Sequence, residues 1–129
     1  MGDNFIVPQE INAEEFLYRG VVVGFQWDDK NNRPSSALFK DSHGASVDRD
    51  VLIRDSETCI KALLQTKLFK AICRVKEKSV KNAGAITKYL PVPENVFHCE
   101  IHGSEDNVNI SNSKLKKLRD SSEVVFLNT

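Results

Sequence analysis

Short apolar runs separated by dense turn signals constrain this chain more than any other feature. Phe16–Phe25 is rich in valine and aromatic residues and reads as a strand. Residues Asp28 to Pro34 then read as a turn, Ser35–Phe39 as a short return strand, and Asp41 to Gly44 as a second turn before Ala45–Val47. Strands this short, joined by connections this brief, favour antiparallel pairing over parallel crossovers.

Later in the chain the apolar period changes. Asp55 or Ser56 can cap a helix running to about Lys67, with Ile60, Leu63, Leu64 and Leu68 on one face. Leu68–Glu77 reads as a strand whose Phe69, Ala71, Cys73 and Val75 turn toward the core. Asn82-Ala83-Gly84 is a loop, and Pro91-Val92-Pro93 a stiff connector. Val96–His102 is a further strand, with Phe97, Cys99 and Ile101 on one face and His98, Glu100 and His102 on the other. Ser111 or Ser113 caps a basic helix to Arg119, striped by Ile110, Leu115 and Leu118, and Val124–Leu127 closes as a strand. The expectation is a compact single α+β domain over residues 1–129. Its sheet is mixed but mainly antiparallel, it carries two or three helices, and residues 1–13 form a loosely ordered leader.

A chain of 129 residues buries one core without disulfides or metals. No stretch approaches the roughly 20 apolar residues of a membrane helix, so no membrane partner is expected. The N-terminus lacks the basic and apolar regions of a signal peptide. Cys59, Cys73 and Cys99 are odd in number and widely spaced, which favours reduced, structural thiols and a cytoplasmic location. Net charge is zero but uneven: residues 1–60 carry 11 acidic and 6 basic side chains, while residues 61–88 carry 8 basic and 1 acidic. That basic block can face an anionic partner or the acidic first half of its own chain.

One polar cluster interrupts the strand-and-turn region: Leu17-Tyr18-Arg19, Arg33 to Phe39, and Ser46-Val47-Asp48-Arg49. Arginines, small hydroxyls and an aspartate suit a pocket better than a core. Arg19 stands in a strand otherwise fit for burial, and arginine is rarely buried without a partner. Asp48, through a bidentate pair, is one candidate partner; an anionic ligand is the other. The ligand-binding candidates are Arg19, Ser35, Ser36, Ser46, Asp48, Arg49 and His98.

No standard catalytic or cofactor motif is complete, and no cofactor is expected. On a strand, His98, Glu100 and His102 share a face at a spacing of about 6.6 Å, and two histidines with a glutamate are acceptable metal ligands. The order of the helical zinc motif is absent, however, and ligands spread along one strand need help from another element to converge. Cys99 is flanked by histidines in sequence, but neighbours on a strand point to opposite faces, which disfavours a thiol nucleophile. Lys70, Arg74, Lys76 and Lys78 alternate mostly onto one strand face and could meet nucleic acid electrostatically, although no aromatic residues interleave to stack bases.

The blocks Leu17-Tyr18-Arg19, Arg33 to Lys40, Ser46 to Arg49, Pro93 to His98 and Lys114 to Leu118 occur in the order found in a family of short uncharacterised bacterial proteins, which the chain resembles along nearly its whole length. The resemblance implies shared residues (Arg19, Ser35, Ser36, Phe39, Ser46, Asp48, Arg49 and His98) rather than a known chemistry. Arg19 followed by Ser35-Ser36 also resembles the opening of ADP-ribosyltransferase-like folds. The Glu-x-Glu motif of those enzymes is missing, since Glu100-Ile101-His102 stands in its place, and the gap from Arg19 to Ser35 is short.

The sequence thus points first to a small binding or interaction module with a polar Arg/Ser/Asp/His pocket, its partner another protein or a small anionic ligand. The alternatives are a small enzyme or sensor acting on a nucleotide-like anion, with His98 as acid or base because imidazole titrates near neutral pH, and a nucleic-acid binder using residues 61–88.

Overall fold

In a computed structural model, which describes residues 6–128, turn chemistry decides where each strand stops. β1 (Phe16–Val21) ends four residues before the expected Phe25, where the Gln26 side chain accepts a hydrogen bond from the Val22 amide at 3.0 Å. β2 (Trp27–Asp28) and β3 (Arg33–Pro34) form a small hairpin whose turn is held by Asp28, which accepts from Asn31. The strand expected over Ser35–Phe39 is instead a run of turns. The Ser35 hydroxyl donates to the Phe25 carbonyl and accepts from the Ala37 amide, and Leu38 and Lys40 donate to carbonyls three residues back. Local side-chain hydrogen bonds of this kind compete with a ladder and here replace it.

β4 (Ala45–Arg49) leads through a tight loop to α1 (Ser56–Leu64), whose N-cap Asp55 accepts from the Thr58 amide at 2.8 Å. α1 stops short of Lys67 because Thr66 donates both its amide and its hydroxyl to the Leu63 carbonyl. β5 (Ala71–Lys76) is followed at once by α2 (Glu77–Asn82), a helix absent from the sequence reading. Its cap, Lys76, makes no side-chain capping bond, so the usual start signal is missing. β6 (Ile86–Tyr89), also unforeseen, precedes β7 (His98–His102). α3 (Asn112–Ser121), capped by Ser111, and β8 (Glu123–Leu127) complete the chain.

Six strands form one sheet in the order β6-β7-β4-β1-β5-β8, and every pairing described is antiparallel. The expected α+β domain with a mainly antiparallel sheet is therefore present. Helices cover both faces. Leu17, Val21, Ala71, Cys73 and Val75 pack with Val80 of α2 and with Leu115 and Leu118 of α3. Tyr18 and Ile72, which alternate with them, pack with Phe69 and with Cys59 of α1. β5 is thus buried on both sides, and Phe69 joins the α1 face rather than the set expected from alternation. Among the described residues, no helix is long and apolar enough to cross a membrane.

The expectation of a loose leader over 1–13 falls partly outside the described residues, as do the first five positions on which the absence of a signal peptide rests. From Pro8 onward the segment is tied down: the carbonyls of Pro8 and Glu10 accept from Arg49, and Ile11 lies in the larger core.

Candidate functional site

The site begins where two central strands part. β1 pairs with β4 only at Leu17–Arg49 and Tyr18–Asp48, although β1 continues to Val21 and β4 begins at Ala45. Beyond Tyr18, β1 keeps its ladder to β5 alone. Gly20 lies under the Phe69 ring so closely that a Cβ there would sit 2.3 Å from the ring carbon Cζ. The Arg19 guanidinium enters the opening: Nε donates to the Leu38 carbonyl at 2.7 Å and Nη1 to the Ser46 carbonyl at 2.9 Å. A cavity of about 390 Å³ occupies the gap, lined by Arg19, Gly20, Ser46 and Asp48 from the strands and by Thr66 and Phe69 from the segment after α1.

Arg19 is 5% exposed, yet among the described residues no carboxylate reaches it within ion-pair distance. Asp48 is 8% exposed and lines the same cavity. The bidentate Arg19–Asp48 pair that the sequence suggested is therefore not formed. Asp48 instead accepts from the Asn95 side-chain amide at 2.9 Å through Oδ1, because it faces α1 and the β6–β7 connection whereas Arg19 reaches back toward Leu38. Burial pulls the Arg19 guanidinium below its ordinary pKa, and the charge of Asp41 acts in the opposite direction. Guanidinium remains charged under either influence.

A second cavity, of about 780 Å³, adjoins the first through the shared lining residues Asp48 and Thr66. His98 and Asn95 line it from the β7 side, and the Arg54 guanidinium lies over the Phe97 ring, its Cζ 3.8 Å from the centroid, while Nη1 donates to the Arg49 carbonyl.

Four of the seven expected residues thus gather along these cavities: Arg19, Ser46, Asp48 and His98. Ser46 meets Arg19 through its backbone carbonyl rather than through the hydroxyl on which the sequence argument relied. Ser35 is engaged in its own turn, Ser36 is exposed beside it, and neither lines the cavities. Arg49 pairs across from Leu17, which puts it on the face of Leu17 and Arg19 and opposite to Asp48; it is fully buried and lines neither cavity. Its Nε and Nη2 donate to the two oxygens of Glu15 at 2.9 and 2.8 Å, and its guanidinium lies over the Tyr89 ring. That arrangement is a structural pin. Arg54, Asn95 and Thr66 are site residues the sequence did not single out. Arg54 precedes a cap and carried no signal of its own, and Asn95 is brought in only by the fold.

The histidine pair on β7 turns inward on one carboxylate. Glu100 stands 2.9 Å from His102 Nε2 and 3.6 Å from His98 Nε2. Among the described residues, no group of three or more His, Cys, Asp and Glu side chains is placed to hold a metal ion. All three cysteines are free and buried; burial pushes the Cys59 thiol up to about 11 and those of Cys73 and Cys99 to about 12, which leaves no reactive thiolate near neutral pH.

Part of the basic block is paired within the chain. Lys76 and Lys78 both hold Glu14, at 3.0 Å each, and Lys78 belongs to α2 rather than to the strand. Arg74 is paired with Glu123, and Lys70 lies over the Trp27 ring. The acidic first half of the chain meets part of the block in this way.

No protein-family model, curated protein or solved structure matches the chain, so the site stands on its own geometry.

Proposed function

We propose that this protein is a small, non-catalytic binding module that takes the anionic group of a small ligand in the cavity between the diverging ends of β1 and β4. One observation carries the proposal: Arg19 is a nearly fully buried cation that lines a cavity and has no carboxylate partner among the described residues. A buried charge left without a counter-charge is unfavourable, and a carboxylate or phosphate from outside would supply the counter-charge through charge-assisted hydrogen bonds. Cavities of this size, part apolar and with few converging polar groups, are the usual form of small-ligand sites.

Binding is favoured over turnover because the groups catalysis would need are held apart or engaged. His98 lines the adjoining cavity rather than that of Arg19 and leans toward Glu100, and the thiols are buried. The free thiols also suit a reducing compartment, and we place the protein in the cytoplasm. The test is a thermal-shift screen of carboxylates and phosphates on the wild type and on Arg19→Gln. A ligand that binds only the native state raises the transition temperature with concentration. The wild type should respond and the variant should not. A ligand that stabilises both equally would place the site elsewhere.

A further inference from the structure

We propose that the ligand at this site is a zwitterion of the free amino acid type, with its carboxylate on Arg19 and its ammonium on Asp48. This deepens the proposed anion site and rests on it. Arg19 and Asp48 line one cavity, each more than nine-tenths buried, and they do not pair with each other. Each is only partly engaged. The two hydrogen bonds of Arg19 come from Nε and Nη1 and end on backbone carbonyls, which leaves Nη2 without a protein acceptor among the described residues. Asp48 accepts from Asn95 through Oδ1, and Oδ2 has no donor among the described residues. Neither Nη2 nor Oδ2 is sealed from solvent, since the one sealed and unpartnered side-chain polar atom among the described residues is Trp27 Nε1.

A purely anionic ligand would satisfy Arg19 and leave Asp48 with the same unmet acceptor, now beside a second negative charge. A ligand carrying both signs answers both groups. Val22, Leu63 and Phe69 supply an apolar wall of the same cavity, on which an aliphatic side chain can lie.

The experiment is a calorimetric titration of the whole protein with L-leucine and its two halves: 4-methylpentanoate, which keeps the carboxylate, and 3-methylbutylamine, which keeps the amine. L-leucine should bind about tenfold or more tightly than either half, the loss expected when one charge-assisted hydrogen bond goes unmade. Asp48→Asn preserves the acceptor for Asn95 and should lower L-leucine affinity to that of 4-methylpentanoate, with 4-methylpentanoate itself unaffected or improved. Equal binding of L-leucine and 4-methylpentanoate would overturn the zwitterion and leave the anion site standing. Absence of binding by all three compounds, with a phosphate active in the thermal screen, would likewise overturn it. Silence in both experiments would remove the anion site as well.

Discussion

Arg49 and Glu15 meet through two parallel hydrogen bonds of 2.9 and 2.8 Å, with side-chain exposures of 0% and 3%. The pair joins β4 to the segment before β1, and the same guanidinium gathers the Pro8 and Glu10 carbonyls. Removing one partner of a buried pair leaves the other charge unanswered in a medium that solvates it poorly. Glu15→Gln should therefore destabilise the fold by about 3–5 kcal/mol, a large share of the roughly 5–15 kcal/mol that holds a domain of this kind together. The double change Glu15→Gln with Arg49→Met should recover part of that loss. Urea unfolding followed by the single tryptophan, Trp27, gives the measurement; a penalty near zero for Glu15→Gln would show that the pair is not the pin described.

Glu77 provides a pH-dependent counterpart. It is buried at the start of α2 and accepts from the Thr87 hydroxyl at 2.6 Å, yet burial pushes its carboxyl above the ordinary value of 4.5 by more than that hydrogen bond pulls it down. The folded state holds this proton more tightly than the unfolded chain does. Stability from this group is present below the ordinary carboxyl value and is lost as pH rises through the higher native one. Glu77→Gln keeps an acceptor for Thr87 and removes the titration. Its stability relative to wild type should be greater at about pH 7 than at about pH 4. A difference independent of pH would exclude Glu77 as the source.

The main course of the fold was legible in residue pattern. The alternation of Ala71, Cys73 and Val75, the cap at Asp55 and the stripe of Leu115 and Leu118 all correspond to described elements. What the pattern hid had physical reasons. α2 starts without a side-chain cap, the turns after Pro34 are made by a serine hydroxyl in a strand-like run, and Ile86–Tyr89 is half-buried throughout, so no alternation marks it. In the site, burial of Arg19 was foreseeable from its apolar surroundings. Its failure to pair with Asp48 was not, because register places Asp48 opposite Tyr18 and thus toward α1. The cavity itself depends on where a ladder stops, which is a property of two strands together.

Gly20 tests how that opening is kept. The Phe69 ring rests where a side chain at position 20 would stand, so Gly20→Ala should force the ring to move and destabilise the domain by about 1–3 kcal/mol. Thermal unfolding of Gly20→Ala beside Gly20→Ala with Phe69→Leu should show the second change relieving the first. An alanine without effect would mean that the ring is not packed against the strand.

The thiols offer a check on burial across both faces of the sheet. Cys59, Cys73 and Cys99 are each 0% exposed with acidities shifted to about 11 or 12. Disulfide-exchange reagents at about pH 8 should label none of them in the native protein and all three once it is unfolded, since the thiolate is the attacking species. Rapid labelling under native conditions would contradict the packing of all the cores that hold them.

The most direct measurement for the central claim, that Arg19 receives an anionic group between β1 and β4, is a two-dimensional amide NMR titration of the labelled protein with L-leucine, ATP and a short RNA. The account predicts shifts centred on Gly20, Ser46, Asp48 and Thr66 with a small anionic or zwitterionic compound, and their loss in Arg19→Gln. Shifts confined to Lys70, Arg74, Lys76 and Lys78 with RNA, or no shift around Arg19 with any small compound, would contradict it.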